Sequence, residues 1–200
     1  MRKPHLERSS EIIQSTLELA AEQGVQKVTT HAIANRVGIA QPTIFRHFKT
    51  RDAILRAVID WASVALFRIL EGVSSEDVPA EERLERLLGR QFAFVAKHKG
   101  MPRLLFSERL HLEDPKLKAA IRRVMNTYAT CVGEILRDGV AKGRFREDLE
   151  PEQTACFIVA SIQGLLLRWS ICDFCFSLED EGEALWPNIW SAIRRPDGSD

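Results

Sequence analysis

The stretch Val28-Thr-Thr-His-Ala-Ile-Ala-Asn-Arg-Val-Gly-Ile-Ala-Gln-Pro-Thr-Ile-Phe-Arg-His-Phe-Lys49 decides the fold of this chain. Thr29 or Thr30 can cap a first short helix, and Ile33, Ala34 and Val37 follow on one inward face. Gly38 comes just past the last periodic residue, where a chain leaving a helix often takes a left-handed conformation that glycine adopts cheaply. Pro42 suits the first turn of a second helix, because its missing N–H would have no intrahelical partner there. Ile44 and Phe48, four apart, face the first helix and Ile39 fills the gap, which leaves Gln41, Thr43, Arg46 and His47 pointing outward. This is helix-turn-helix logic, in which the second helix lies in a DNA major groove with its N-terminal residues at the base edges.

The charge distribution agrees. The 200-residue chain is neutral, but residues 1–56 carry nine Lys or Arg against five Asp or Glu, a net +4 balanced by −4 in the remainder. A basic head on an acidic body suits a DNA-binding module joined to a regulatory one. The start Met1-Arg2-Lys3-Pro4-His5 has no apolar signal region and no run of 18 apolar residues occurs, so a cytoplasmic protein without a membrane partner is expected. The four cysteines (131, 156, 172, 175) are then expected as free thiols.

Outward from the opening stretch, helical periodicity continues throughout. Ile12, Ile13, Leu17 and Ala20 predict a helix over residues 9–23, capped by Ser9 or Ser10 and stopped by Gly24, with Lys3, His5 and Arg8 as a short basic arm before it. Thr50 should cap a long helix that ends at Gly72. Further helices are expected from about 80 to 99, from Pro102 through Leu110, from Pro115 to Gly139 or Gly143, and from Pro151 onward. The helix after Pro151 is apolar on nearly all sides, so it must be buried on more than one face. Ala160, Ser161 and Gly164 make sense where another helix backbone comes very close, and Pro187 should kink or restart the last helix. A two-fold dimer through the last two helices follows, with Ala160, Ser161, Gly164, Trp186 and Trp190 at its interface. The fold class is all-α: an N-terminal three-helix DNA-binding domain (1–50) and a C-terminal helical effector-binding and dimerisation domain (51–200).

With these residues in view, the chain resembles the tetracycline-repressor (TetR) family of bacterial transcription regulators. The resemblance rests on Ile13 through Gly24, on Val37-Gly38-Ile39, and on Gln41 through Lys49 leading into Thr50-Arg51-Asp52-Ala53-Ile54-Leu55. It implies a homodimer of about nine helices per chain, a pseudo-palindromic double-stranded DNA operator and a small-molecule effector pocket. By the same resemblance Gln41, Pro42, Thr43, Arg46 and His47 approach bases or phosphates and Lys49 sits near the backbone; Thr29, Thr30 and Phe45 are counted with them as candidate DNA-binding residues. Phe45 stands where the family commonly has Tyr, Ala40 where a Ser or Thr cap is usual, and Ala20 where Phe is frequent. Trp61, Phe92, Phe106, Met125, Tyr128 and Trp169 are the aromatic and Met set from which such a pocket would be lined, although that set at helical spacing is equally ordinary core.

Other constellations read as structural. Cys172-Asp-Phe-Cys175 has the spacing of half a zinc or redox pair, but it lacks a second pair of ligands and its aromatic neighbours favour helix packing. Glu108, His111, Glu113 and Asp114 look like a metal or acid-base cluster, yet a solvated turn accounts for them. No catalytic constellation, metal set or cofactor motif stands out. The chain is read as a ligand-responsive DNA-binding regulator, most simply a repressor; the alternatives are a DNA-binding regulator without small-molecule control and an all-α enzyme.

Overall fold

The computed structural model describes residues 4–107 and 115–196. Among them are nine α-helices: α1 His5–Gln23, α2 Thr30–Val37, α3 Gln41–His47, α4 Arg51–Ser74, α5 Ala80–Lys97, α6 Gly100–Leu105, α7 Pro115–Ala141, α8 Pro151–Ile171 and α9 Leu178–Ile193. The extended element among the described residues is one isolated bridge between Phe145 and Arg194. The solvated turn expected at Glu108, His111, Glu113 and Asp114 lies outside the described residues.

The chain forms two compact units, Met1–Val64 with Lys97–Ile121 and Ala65–Ala96 with Arg122–Asp200. A single cut after residue 50 separates the expected functions, whereas packing interleaves the sequence. The reason within the first unit is Gly100, where a Cβ would collide with the Leu17 carbonyl, so only glycine lets α6 lie directly on the backbone of α1. The core of this unit is built from Ile12, Leu17, Ala20, Ile33, Ala34, Ile44, Ile54, Leu55 and Val58, all buried. Ala20, small where a larger residue is frequent in the family, is itself buried in this core.

The second unit buries Leu84, Leu87, Leu88, Phe92, Tyr128, Val132, Leu136, Phe145, Ile158, Ile162 and Trp169. Two glycines set its close contacts: a side chain at Gly139 would enter the Phe145 ring, and one at Gly182 the Phe92 ring. Tyr128 donates its hydroxyl to Gln91 Oε1 in this interior, and burial pushes the phenol well above its ordinary pKa.

Several sequence expectations are corrected. α1 starts four residues before Ser9, at His5 behind Pro4, and no side chain caps it. α4 runs past Gly72 to Ser74, because a lone glycine weakens a helix without having to end it. Gly100 opens α6, which ends at Leu105. α9 is continuous through Pro187. Cys172 and Cys175 are not packed in a helix: both are exposed in the turn after α8, and Cys156 is exposed on α8.

α8 is the one helix among the described residues long and apolar enough to cross a membrane by length and composition, and 28% of its most apolar window is buried. One face packs inward through Ala155, Ile158, Ile162, Leu166 and Trp169. Phe157, Ala160, Gly164, Leu167 and Ile171 form an opposite stripe that the chain leaves exposed, with Ile171 at 71% and Phe157 at 58%.

Candidate nucleic-acid interface

The candidate nucleic-acid face is assembled by two helix ends. Thr29, in extended conformation, accepts the Ala32 N–H on its hydroxyl at 3.1 Å and so starts α2. At the other end Gly38 takes φ 73° and ψ 37°, in the left-handed region. Its N–H donates to Asn35 O at 3.2 Å, and the Ile39 N–H reaches back to Ala34 O at 3.0 Å. These paired bonds are a Schellman motif, which satisfies the last carbonyls and turns the chain sharply into α3. Any residue with a Cβ would strain this turn.

α3 opens without a side-chain cap, because Ala40 offers no acceptor; Pro42 in its first turn removes one unsatisfied donor, and the Thr43 N–H bonds Ala40 O at 2.8 Å. Ile44 is fully buried and fixes the rotation of the helix. With Ile44 inward, Pro42, Phe45 and Arg46 are exposed, Thr43 and His47 are half-buried, and Lys49 is exposed just beyond the helix.

Two of the outward side chains are braced from behind. Gln41 Nε2 donates to Thr30 Oγ1 at 2.8 Å, which joins the first turns of α3 and α2. His47 Nδ1 lies 3.3 Å from Ser9 Oγ, and its ring packs on His5 at 4.3 Å between centroids. Burial, and the positive neighbours His5, Arg8 and Arg46, lower the His47 pKa below its ordinary value. The sequence supplies no signal for the Ser9 bracket, since Ser9 and His47 stand 38 positions apart. The basic arm is partly committed as well: His5 lies on His47, and Arg8 pairs with Glu11 at 2.6 Å.

Behind this face, Arg36 of α2 pairs with Glu22 of α1 and with Glu18 at 3.4 Å; its hydrogen bonds with Arg36 hold the Glu22 carboxyl below its usual range. Arg51, at the start of α4, donates to the Val25 carbonyl, and Thr50 caps α4 by accepting the Ala53 N–H at 3.0 Å. Arg46 and Lys49, in and just after α3, are exposed. A rigid helix-turn-helix that presents Gln41, Thr43, Phe45, Arg46 and His47 can bond base edges and phosphates; among the described residues no group of three or more His, Cys, Asp or Glu could hold a metal.

The other expected residues divide between the two units. Trp61 and Phe106 belong to the first, where Trp61 stands edge-on to His98 at 4.8 Å. Phe92, Met125, Tyr128 and Trp169 belong to the second. There Phe92 and Tyr128 are buried, Met125 is exposed, and Trp169 donates its indole N–H to Phe176 O at 2.9 Å. Ala160 and Gly164 are exposed on α8 and Ser161 is half-buried, while Trp186 and Trp190 stack on α9 at 6.1 Å. A groove lined by Gly164, Leu165, Arg168, Glu181, Ala184, Leu185 and Asn188 runs between α8 and α9, and none of the six candidate pocket residues lines it.

Comparison with known proteins agrees with this geometry. Residues 12–58 match the family model described as bacterial regulatory proteins, tetR family, and residues 77–169 match that of the tetracyclin repressor-like C-terminal domain. The nucleoid occlusion factor SlmA of Marinomonas sp. (strain MWYL1) is 22% identical over 187 residues, covering 94% of this chain and 93% of that protein. The transcriptional regulator FadR from Bacillus subtilis, solved in complex with stearoyl-CoA, superposes with a TM-score of 0.77 at 22% identity, over 92% of this chain and 99% of that one. A SmeT–triclosan complex superposes at 0.78 with 18% identity, over 96% and 93%; SmeT is the repressor of a Stenotrophomonas maltophilia multidrug efflux pump. Two models of one family thus span well over half of the sequence, and the helix-turn-helix stands where the first of them places it: the chain belongs to the tetR family of bacterial regulatory proteins and is a DNA-binding transcription regulator.

Proposed function

We propose that this regulator is a homodimeric, effector-responsive repressor acting on a pseudo-palindromic operator. The observation that carries the reading is the outward face of α3, where exposed Arg46 stands between Gln41, bonded to Thr30, and His47, bracketed by Ser9. Preorganised side chains lose less entropy on binding, so such bracing suits recognition better than a merely solvated helix face. Thr29, Pro42, Thr43, Phe45 and Lys49 complete the proposed DNA surface.

Dimerisation is supported by the exposed α8 stripe. A water-soluble chain rarely leaves Phe157, Leu167 and Ile171 uncovered on one helix together with Ala160 and Gly164, and the small residues suit close approach of a second copy. Polar Gln163 and charged Arg168 interrupt the same helix, which favours a protein partner over lipid. Effector control is supported by the fold shared with the stearoyl-CoA complex of FadR and the triclosan complex of SmeT. Within the second unit the effector would meet the Gln91–Tyr128 pair, a polar pair in the interior that also holds Phe92. α4 contributes to both units, so an effector that favours a different tilt of α4 would put the two recognition helices out of step with grooves about 34–36 Å apart.

Gel-shift titration of promoter DNA across salt tests the reading. Sequence-preferring binding that weakens with salt, and is released by a compound that also raises thermal stability, supports it. Binding without preference for any natural site, or none at low salt, rejects it. A second reading, DNA binding without small-molecule control, takes its support from the likeness to the nucleoid occlusion factor over nearly the whole chain. Specific binding that no compound in a metabolite library relieves would favour that reading.

A further inference from the structure

α8 ends in a second Schellman motif, built without glycine. The Phe174 N–H donates to Trp169 O at 2.9 Å and the Asp173 N–H to Ser170 O at 3.3 Å. The Trp169 and Phe174 rings meet edge-on at 4.7 Å, the apolar contact that accompanies this motif. Asp173 has φ 49° and Phe174 φ 60°, and they are the non-glycine residues with positive φ among those described. Two successive left-handed residues fold the chain back on itself, so the Cys175 N–H donates to Cys172 O at 3.1 Å.

A four-residue turn closed in this way brings its end Cα atoms within about 7 Å. Disulfides span Cα separations of about 4.4–6.8 Å. Both cysteines are exposed, and the turn is fixed on its far side by the Trp169 indole bond to Phe176 O and by Arg168 over the Phe176 ring at 5.0 Å. Cys156 is no rival partner within the chain, because 16 residues of helix put it about 24 Å from Cys172.

We infer that Cys172 and Cys175 form an oxidisable dithiol that takes a low-molecular-weight disulfide as its oxidant. One cysteine thiolate attacks a sulfur of the disulfide RSSR; a protein–SR bond forms, the S–S bond breaks, and RS⁻ leaves with the electron pair and takes up a proton. The second thiolate attacks the protein sulfur of that mixed disulfide, closes the Cys172–Cys175 bond and expels the other RS⁻. Two thiols are oxidised by two electrons and RSSR is reduced to two RSH.

The test uses the full chain, incubated with oxidised glutathione, desalted, and read by intact mass, thiol titration and peptide mapping. The expected product is a 172–175 disulfide in the digest, two hydrogens lighter than the dithiol peptide and fully recovered on reduction. Exposed Cys156 has no resolving thiol and keeps any glutathione it takes up, so the intact mass is read on Cys156→Ser. Cys172→Ser should instead retain a glutathione adduct at Cys175, because the resolving thiol is gone, and Cys156→Ser should form the same 172–175 disulfide as a monomer lighter by two hydrogens. Retention of adducts at both Cys172 and Cys175 in the wild type, an interchain disulfide as the main product, or loss of the bond in Cys156→Ser would each overturn the inference. None of these readouts involves DNA, so they stand apart from the proposed repressor function.

Discussion

The Gln41 side-chain amide donates to the Thr30 hydroxyl at 2.8 Å, so the N-terminus of the recognition helix is tied to the N-terminus of the helix behind it. In the proposed DNA surface Thr30 would act from one step back, while Thr29 supplies the cap of α2. Thr30→Val keeps the shape and removes the acceptor. One intramolecular hydrogen bond contributes about 0.5–1.5 kcal/mol. Operator affinity should fall by roughly 2- to 12-fold, with helix content and melting temperature little changed. A drop in circular-dichroism signal would instead show that the bond holds the fold.

Arg46 is exposed beside Phe45 on the outward face of α3. Arg46→Ala should weaken operator binding and leave the dimer intact by sedimentation. If the guanidinium reads a guanine, the loss is about 1–3 kcal/mol and preference at that base relaxes. If it binds phosphate, all sequences weaken alike and the salt slope drops by about one. Unchanged affinity in both respects would remove Arg46 from the interface.

Gly38 and Pro42 are legible in the sequence because backbone geometry dictates them, through a left-handed turn and an unsatisfied donor, so their neighbours reveal them. Ile33 and Ile44 declare themselves by spacing, and both are fully buried. The brackets behind the outward face are hidden, because Ser9 and Thr30 are small polar residues whose local role as caps is the stronger sequence signal. Ser9 in fact donates to His5 O inside α1 and contacts His47. Gly100 reads as a stop because a glycine past a periodic run usually is one; its need for contact with Leu17 is tertiary. The cysteine turn is hidden for a related reason, since left-handed Asp173 and Phe174 violate the usual preference for glycine at that position.

The His47 environment couples pH to the first unit. His5, Arg8 and Arg46 face it with positive charge, Ser9 faces it with a hydroxyl, and burial is the largest of the effects lowering its pKa. A histidine whose folded pKa lies below its unfolded value of about 6.5 takes up fewer protons folded than unfolded. Its contribution is therefore present above pH 6.5 and lost as pH falls through the lowered value. Phosphate contact acts the other way on binding, because it favours the charged ring. Between about pH 7 and pH 5.5, falling pH should lower the melting temperature and tighten operator binding. His47→Gln should flatten both trends. Parallel slopes in wild type and variant would place the titrating group elsewhere.

Asp173 holds the position of the α8 cap that glycine occupies at Gly38. A non-glycine residue there costs about 1–2 kcal/mol, less for Asp than for most. Glycine relieves that strain but returns about 0.4–1 kcal/mol of chain entropy to the unfolded state. Asp173→Gly should therefore stabilise the chain by up to about 1 kcal/mol, read as a raised urea midpoint with an unchanged slope. A lowered midpoint would mean that the aspartate contributes more than its backbone strain costs.

Gly164 separates the needs of one chain from those of the proposed dimer. In a helix interior it costs about 1 kcal/mol relative to Ala, and a Cβ placed there meets nothing within 4 Å. A single chain therefore gains nothing from it, and Leu at this position should leave monomer stability equal or higher. If a second α8 approaches at the stripe of Ala160, Gly164, Leu167 and Ile171, the same Leu fills the space that the partner's backbone needs. Gly164→Leu is thus expected to be monomeric by sedimentation, folded by circular dichroism and deficient in operator binding, with Gly164→Ala in between. A dimer that tolerates Gly164→Leu would move the interface off this stripe, and an unfolded variant would show that the position is constrained within the chain itself.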